Sequence, residues 1–218
     1  MGQPGASDDA VDRRVLPCDD RSVSATPTEM RSDRLLLRRW TTSDRPAFAA
    51  MNADPVVMEY YPSILARSES DAFVDRIEDH FDHEGFGLWA VEVTDTSEFA
   101  GYVGLWPATF EAHFTPAVEI GWRLRREVWG HGYATEAACA VLDDGFHRLG
   151  IDEIVSFTAT INRPSRNVMA KLGMRHVPAD NFDHPNVKAS SPLRRHVLYR
   201  LDAGDWALDN ADPQAPLR

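Results

Sequence analysis

The chain has 218 residues, of which 43% are hydrophobic and 26% charged, with 34 acidic against 23 basic side chains and a formal charge of −11. That length supports one domain with a sizeable core and flanking tails rather than two domains. The acidic balance argues against partners that present phosphate backbones or anionic membranes, and it tolerates cationic ones. Cys18 and Cys139 are the only cysteines, too few for a disulfide framework, and a reducing cytoplasm is the expected compartment. No apolar run approaches 18 residues and the N-terminus lacks a basic-then-apolar signal, so neither a membrane span nor secretion is expected.

Residues 1–27 mix Gly, Pro, Ser and Asp without periodicity, the composition of a disordered arm. Folding is expected from Thr28. Arg34 to Trp40 is a strand candidate, followed by Thr42-Ser43-Asp44 as caps of a helix that runs through Phe48 and Met51. Phe73, Ile77 and Phe81 then recur at intervals of four among Asp71, Asp75, Glu78, Asp79 and Asp82, predicting an amphipathic helix with an acidic face. Leu88 to Val93, Phe99 to Trp106 and Ala117 to Leu124 read as three strands of an antiparallel meander.

Ala134, Ala137, Ala138, Val141, Leu142 and Phe146 give the strongest helical stripe, ended by Gly150. Glu153 to Thr160 reads as a strand, Pro164 to Leu172 as a helix stopped by Gly173, and Met174 to Val177 as a further strand. Residues 178–192 form an excursion before Arg195 to Leu201 closes the sheet, and residues 207–218 read as a tail. The fold class is therefore α+β, one domain with a mixed, mostly antiparallel sheet flanked by helices.

The segment Trp129-Gly130-His131-Gly132-Tyr133-Ala134-Thr135-Glu136-Ala137 carries the clearest chemical signal. Two glycines at a helix mouth let the backbone approach a ligand, and the free amides of the first turn favour bound phosphate. It is neither GxxxxGK[ST], since no Lys follows the second glycine, nor GxGxxG, since Thr135 stands at the third glycine. An ordinary glycine turn before a helix is the plain alternative. His80 and His83, beside Asp79 and Asp82, lack a third well-spaced ligand, so no metal is expected. The acidic run from Glu69 to Glu98 reads as a solvated helix face, although it would also attract a cationic acceptor. No GxSxG or Ser/His/Asp order supports a hydrolase.

Four blocks in order, Val118-Glu119-Ile120-Gly121-Trp122, the glycine segment, Asn162-Arg163-Pro164-Ser165 and Lys171-Leu172-Gly173-Met174, resemble the GNAT superfamily of acyl-CoA-dependent N-acyltransferases. The ribosomal-protein N-terminal acetyltransferases are the most similar branch, and the resemblance spans about residues 28–206. It implies acetyl-CoA as cosubstrate, with the pyrophosphate held by Gly130, His131, Gly132, Tyr133, Ala134 and Thr135. It places pantetheine and the thioester against the backbone from Trp122 through Leu124 to Arg126, with Asn162 positioning the cofactor. Trp129 stands where the superfamily commonly has Gln or Arg, and Arg125, Arg126 and His131 are candidates to supply the polar group that Trp129 does not.

By the same resemblance Glu119 is the candidate general base, with a paired or solvent-facing strand residue as its plain alternative. Many relatives carry a Tyr thiolate acid where this chain has Met169, which cannot donate a proton. Ser165 is the substitute, with helix capping as the alternative role for it and for Asn162. Glu59-Tyr60-Tyr61-Pro62 and the loop from Asn181 to Ser191 are expected substrate lips. The implied reaction moves an acetyl group to a primary amine by direct attack on the thioester. A protein or peptide N-terminus is the first choice of acceptor. Near pH 7 an α-amine of pKa about 7.7–8.0 needs roughly 1 kcal/mol to lose its proton, against roughly 4.6 kcal/mol for lysine. A small-molecule amine such as an antibiotic or polyamine, and a non-catalytic acyl-CoA sensor, are the alternatives. A homodimer is left open.

Overall fold

The computed structural model describes residues 27–210, and the arm expected over residues 1–27 lies outside them save for its last residue, as does Cys18. A short strand β1 (Glu29–Arg31) pairs with β2 (Leu35–Arg38), whose Leu35 and Leu37 point into the core while Leu36 and Arg38 are only half-buried. The expected caps form with one addition: Thr41, one residue earlier, closes a capping box with Asp44. Thr42–Asp44 forms a 3-10 turn and Asp44 is buried, its carboxylate taken by the Arg38 guanidinium at 2.7 Å and by the Thr41 amide at 2.8 Å. Helix α1 then runs Arg45–Ala53 with Pro46 in its first turn, where a missing N–H costs nothing.

Helix α2 (Arg67–Glu84) ends on Gly85 at φ 73°, a left-handed stop that glycine adopts without strain. Its buried stripe is Ser70, Val74, Ile77 and Phe81, so Phe73 lies to one side of it. Much of the acidic face is ion-paired: Arg39 takes Glu78 and Asp82, and Arg45 takes Asp75. The meander forms as expected from β3 (Leu88–Val93), β4 (Glu98–Pro107) and β5 (Val118–Leu124). Helix α3 (Tyr133–His147) crosses the sheet with Ala137, Ala138, Val141 and Leu142 buried. Cys139 sits half-buried on it and is unpaired among the described residues.

Strand β6 (Glu153–Ala159) returns parallel to β5, the connection that a crossover helix requires. Helix α4 (Arg163–Lys171), β7 (Arg175–His176), β8 (Phe182–Asp183) and β9 (Arg195–Asp202) follow. The sheet order is β1-β2-β3-β4-β5-β6-β9-β7, with β8 also on β9. Helix α5 (Ala203–Asn210) continues beyond the tail boundary expected at residue 207. Trp206 anchors it, buried beside Phe146. Among the described residues no helix is long and apolar enough to cross a membrane.

Candidate active site

Between β5 and β6 the sheet comes apart. Only Val118 with Ile154 and Glu119 with Val155 are in register, whereas β4 and β5 pair from Gly101–Leu124 to Pro107–Val118. Where the ladder ends, the buried Ser156 hydroxyl donates to the Ile120 carbonyl at 2.9 Å, supplying a partner that the separated strand cannot. N–H and C=O of one strand residue point the same way and alternate along the chain. The Ile120 carbonyl faces β6, so the Trp122 amide also faces the split. A cavity of about 620 Å³ fills this opening and extends onto both faces of the sheet.

The cofactor arm is lined by Leu124, Trp129, Gly130, Gly132, Tyr133, Ala134 and Thr135 on one side and by Asn162, Ser165, Val168 and Lys171 on the other. Gly130 and Gly132 have φ of 80° and 83°, values that side-chain-bearing residues rarely adopt. A Cβ on Gly130 would meet nothing within 4 Å, so the loop surface is open to a ligand. The amides from Gly130 to Thr135 donate to no acceptor among the described residues, and Gly132 gives α3 no side-chain cap. A diphosphate fits this cradle by amide donation and by the helix dipole, each charge near a helix end contributing about 0.3–1 kcal/mol. Glu136 in the first turn is tied to the Ser32 hydroxyl and to the Arg34 amide and guanidinium, and Arg34 also lies over the Tyr133 ring at 4.8 Å.

Arg125, Arg126 and His131, expected to make up for the apolar Trp129, are directed elsewhere. Arg125 reaches Glu98, and Arg126 is exposed in the 3-10 turn Arg126–Val128. His131 is exposed, its Nδ1 against the carbonyls of Val128 and Trp129 and its ring stacked on Tyr133. None of the three lines the cavity; Trp129 does, 45% exposed, with its indole N–H on the Leu124 carbonyl at 2.8 Å. Asn162 caps α4 by accepting from the Ser165 amide and donates to Thr158, so capping is a role it does perform. Ser165 lines the cavity, whereas Met169 is 1% exposed within the core and outside it.

The other arm lies on the face that α1 and α2 cover. Register places Tyr102 opposite Arg123, Gly104 opposite Gly121 and Trp106 opposite Glu119, all six on that face. Glu119 opens onto the cavity, its carboxylate without a hydrogen-bond or ion-pair partner among the described residues. Burial alone pushes its carboxyl up to about 8, from an ordinary 4.5. Arg123 is 8% exposed. It donates to Asn52 Oδ1 at 2.6 Å and lies 3.9 Å from the Tyr61 ring centroid. Burial pushes the Tyr102 phenol up, with Arg123 pulling the other way, so Tyr102 stays protonated.

Both expected lips line the cavity, Glu59, Tyr60, Tyr61 and Pro62 from one side and His184, Asn186 and Val187 from the other. His184 and His196 face each other at 5.0 Å between ring centroids. Burial first, and His196 second, pull His184 down to about 4, and burial lowers His196, so both imidazoles are neutral near pH 7. Sequence reasoning passed over Arg123, Tyr102 and His196. The alternation of Glu119, Gly121 and Arg123 along one strand face was the available signal for the first. His83 contacts the Asp79 carbonyl and His80 packs on Trp106; no cluster of three or more His, Cys, Asp or Glu side chains suited to a metal is found among the described residues.

Comparison with known proteins identifies the family. Residues 34–175 match the acetyltransferase (GNAT) domain family. The chain is 32% identical over 150 residues to the uncharacterised protein YkkB of Bacillus subtilis, covering 68% of this chain and 86% of that one. It is 36% identical over 107 residues to the FsC-acetyl coenzyme A-N(2)-transacetylase of Aspergillus fumigatus, covering 46% and 45% of the two chains. Among solved structures, RimJ of Mycobacterium smegmatis in complex with CoA-disulfide superposes with a TM-score of 0.63 at 20% identity, covering 81% of this chain and 89% of that one. With a split sheet and a family match over most of its length, the chain belongs to the GNAT family of acetyl-CoA-dependent N-acetyltransferases.

Proposed function

We propose that the protein acetylates the α-amine of a protein or peptide by direct attack on the thioester, with Glu119 as general base. The carrying observation is the lone Glu119 carboxylate on the cavity where β5 leaves β6, in a burial that pushes its carboxyl up to about 8. A base of that strength is matched to an α-amine of pKa about 7.7–8.0, whereas a lysine at about 10.4 leaves roughly 3 kcal/mol uphill. Acetyl-CoA supplies an activated acyl group. Gly130, Gly132 and the first turn of α3 hold its diphosphate, and the Trp122 amide donates to the thioester oxygen as negative charge develops there. Glu119 takes the proton from the amine, directly or through one water. Ser165, lining the same arm with its amide on Asn162, relays to the departing thiolate the second proton that the nitrogen sheds as the amide forms, so thiol and amide both leave neutral and the serine hydroxyl is restored.

The support is geometric: the donor strand, the diphosphate cradle and the base converge on one cavity. Mass spectrometry of a mixed peptide and amine library after exposure to the protein and acetyl-CoA tests it, with thiol release measured in parallel. Acetylation at peptide N-termini is the expected result. Thiol release no faster than background with peptides, polyamines and aminoglycosides alike would overturn the enzymatic reading, and exclusive modification of small amines would overturn the choice of acceptor.

A further inference from the structure

A buried cation without a counter-charge stands in the acceptor arm. Arg123 is the most deeply buried arginine among the described residues, yet no carboxylate lies within 4 Å of it. Arg38, Arg148 and Arg200, all less deeply buried, each hold one or two carboxylates. Neutral groups fix the Arg123 guanidinium instead. Asn52 accepts from it and passes its own Nδ2 to Ser70 at 3.1 Å, and Tyr61 covers its face. Its Nε is buried without a hydrogen-bond partner among the described residues. Removing a charge from water unpaired is costly, and folded proteins ordinarily pair such charges.

The space beside it is open. Gly121 lies between Arg123 and Glu119 on the same strand face, and a Cβ there would meet nothing within 4 Å. Four residues along a strand separate the α-carbons of Glu119 and Arg123 by about 13 Å, and both long side chains flank the gap over Gly121. A ligand in that gap meets a proton acceptor at one end and a fixed cation at the other. We infer that the acceptor carries a carboxylate on the same residue as the reacting amine or on the next one, and that Arg123 pairs with it while the amine meets Glu119. The inference rests on the acetyl-transfer function proposed above. The acidic exterior opposes approach of an anion only over a screening length of about 8 Å, and inside the cavity a carboxylate meets the buried guanidinium as a charge-assisted hydrogen-bond donor.

Acceptors that differ only in charge provide the test: peptides with Asp against Asn, or Glu against Gln, at the first or second residue, and amino acids against their α-carboxamides. Acetyl transfer to each is followed by mass spectrometry with the wild type, Arg123→Gln and Asn52→Asp. The wild type should favour the acid of a pair at least tenfold in kcat/KM. Asn52→Asp sets a carboxylate against the guanidinium with almost no change of shape, so the acid-to-amide ratio should fall towards one while the melting temperature is kept. Arg123→Gln should give the same collapse; if it fails to fold, Asn52→Asp carries the test alone. A wild-type ratio near one or inverted, or an acid preference that survives Asn52→Asp, would overturn the anion site and leave the acetyltransferase reading standing. No product from any acceptor would remove both.

Discussion

At Glu119 a single environment sets both the proposed chemistry and its cost in stability. With its carboxyl at about 8, the basic form declines about tenfold per pH unit below that value, so kcat as well as kcat/KM should rise with pH and level off above it. Glu119→Gln should lower kcat by about 10²–10⁴ and remove that limb from kcat; a variant with unaltered kcat would leave deprotonation to water. The stability consequence has the opposite sense. Because the folded-state value lies above the ordinary 4.5, the unfolded chain gives up this proton first. The destabilisation is absent below 4.5, grows as pH rises, and is complete above about 8. Glu119→Gln should therefore be more stable than the wild type in urea at pH 8.5, by up to about 5 kcal/mol, and no more stable at pH 4. Ser165→Ala tests the acid separately. Since a thiol of pKa about 8.5 already leaves readily, its loss should cost less than the ~100-fold lower bound usual for acid catalysis. A rate unchanged by Ser165→Ala would return that residue to the helix end alone.

At the scale of elements, the glycine loop proposed to take the diphosphate is held from outside. Glu136 is gripped by Ser32 and Arg34 from the turn between β1 and β2; burial raises its carboxyl, and these donors outweigh burial to leave it below the ordinary value. Arg34→Ala should loosen the first turn of α3 and raise KM for acetyl-CoA several-fold with kcat nearly unchanged. A fall in kcat at constant KM would place Arg34 in the chemistry instead. Helix α3 was legible in the sequence because fifteen residues carry one buried stripe, and the glycines marked its mouth. The clamp was not, because 102 residues separate Arg34 from Glu136. β8 escaped for a different reason: two residues have no period, and this strand exists because Phe182 packs among Phe110, Phe114 and Phe157. In the site, resemblance pointed to Glu119 and Ser165 through local motifs. Arg123 acquires its setting from Asn52, Tyr61 and Tyr102, which only folding brings together.

At the scale of the molecule, the sheet is two pieces meeting at a weak seam. β4 with β5 and β6 with β9 are each in register over seven residue pairs, β5 with β6 over two. The seam is nonetheless where the cavity proposed to take the cofactor lies, with Leu124 and Tyr133 on one piece and Asn162, Ser165 and Lys171 on the other. A ligand there touches both pieces and supplies contacts that the missing ladder does not. Binding to the folded state alone stabilises it by about 2.7 kcal/mol at a hundredfold excess over Kd. For a chain of this size each kcal/mol raises the melting temperature by roughly 2–4 °C, so saturating CoA should raise it by roughly 5–11 °C. Hydrogen exchange should locate the effect: amides from Gly130 to Thr135 and around Trp122 should gain protection, while the β3–β4 ladder, paired along both strands with one bulge at Val91/Glu92, should change little. Uniform protection across the sheet would mean that the seam opens only with the whole fold. A melting temperature unmoved by CoA at millimolar concentration would mean that the diphosphate is not held at the glycine loop.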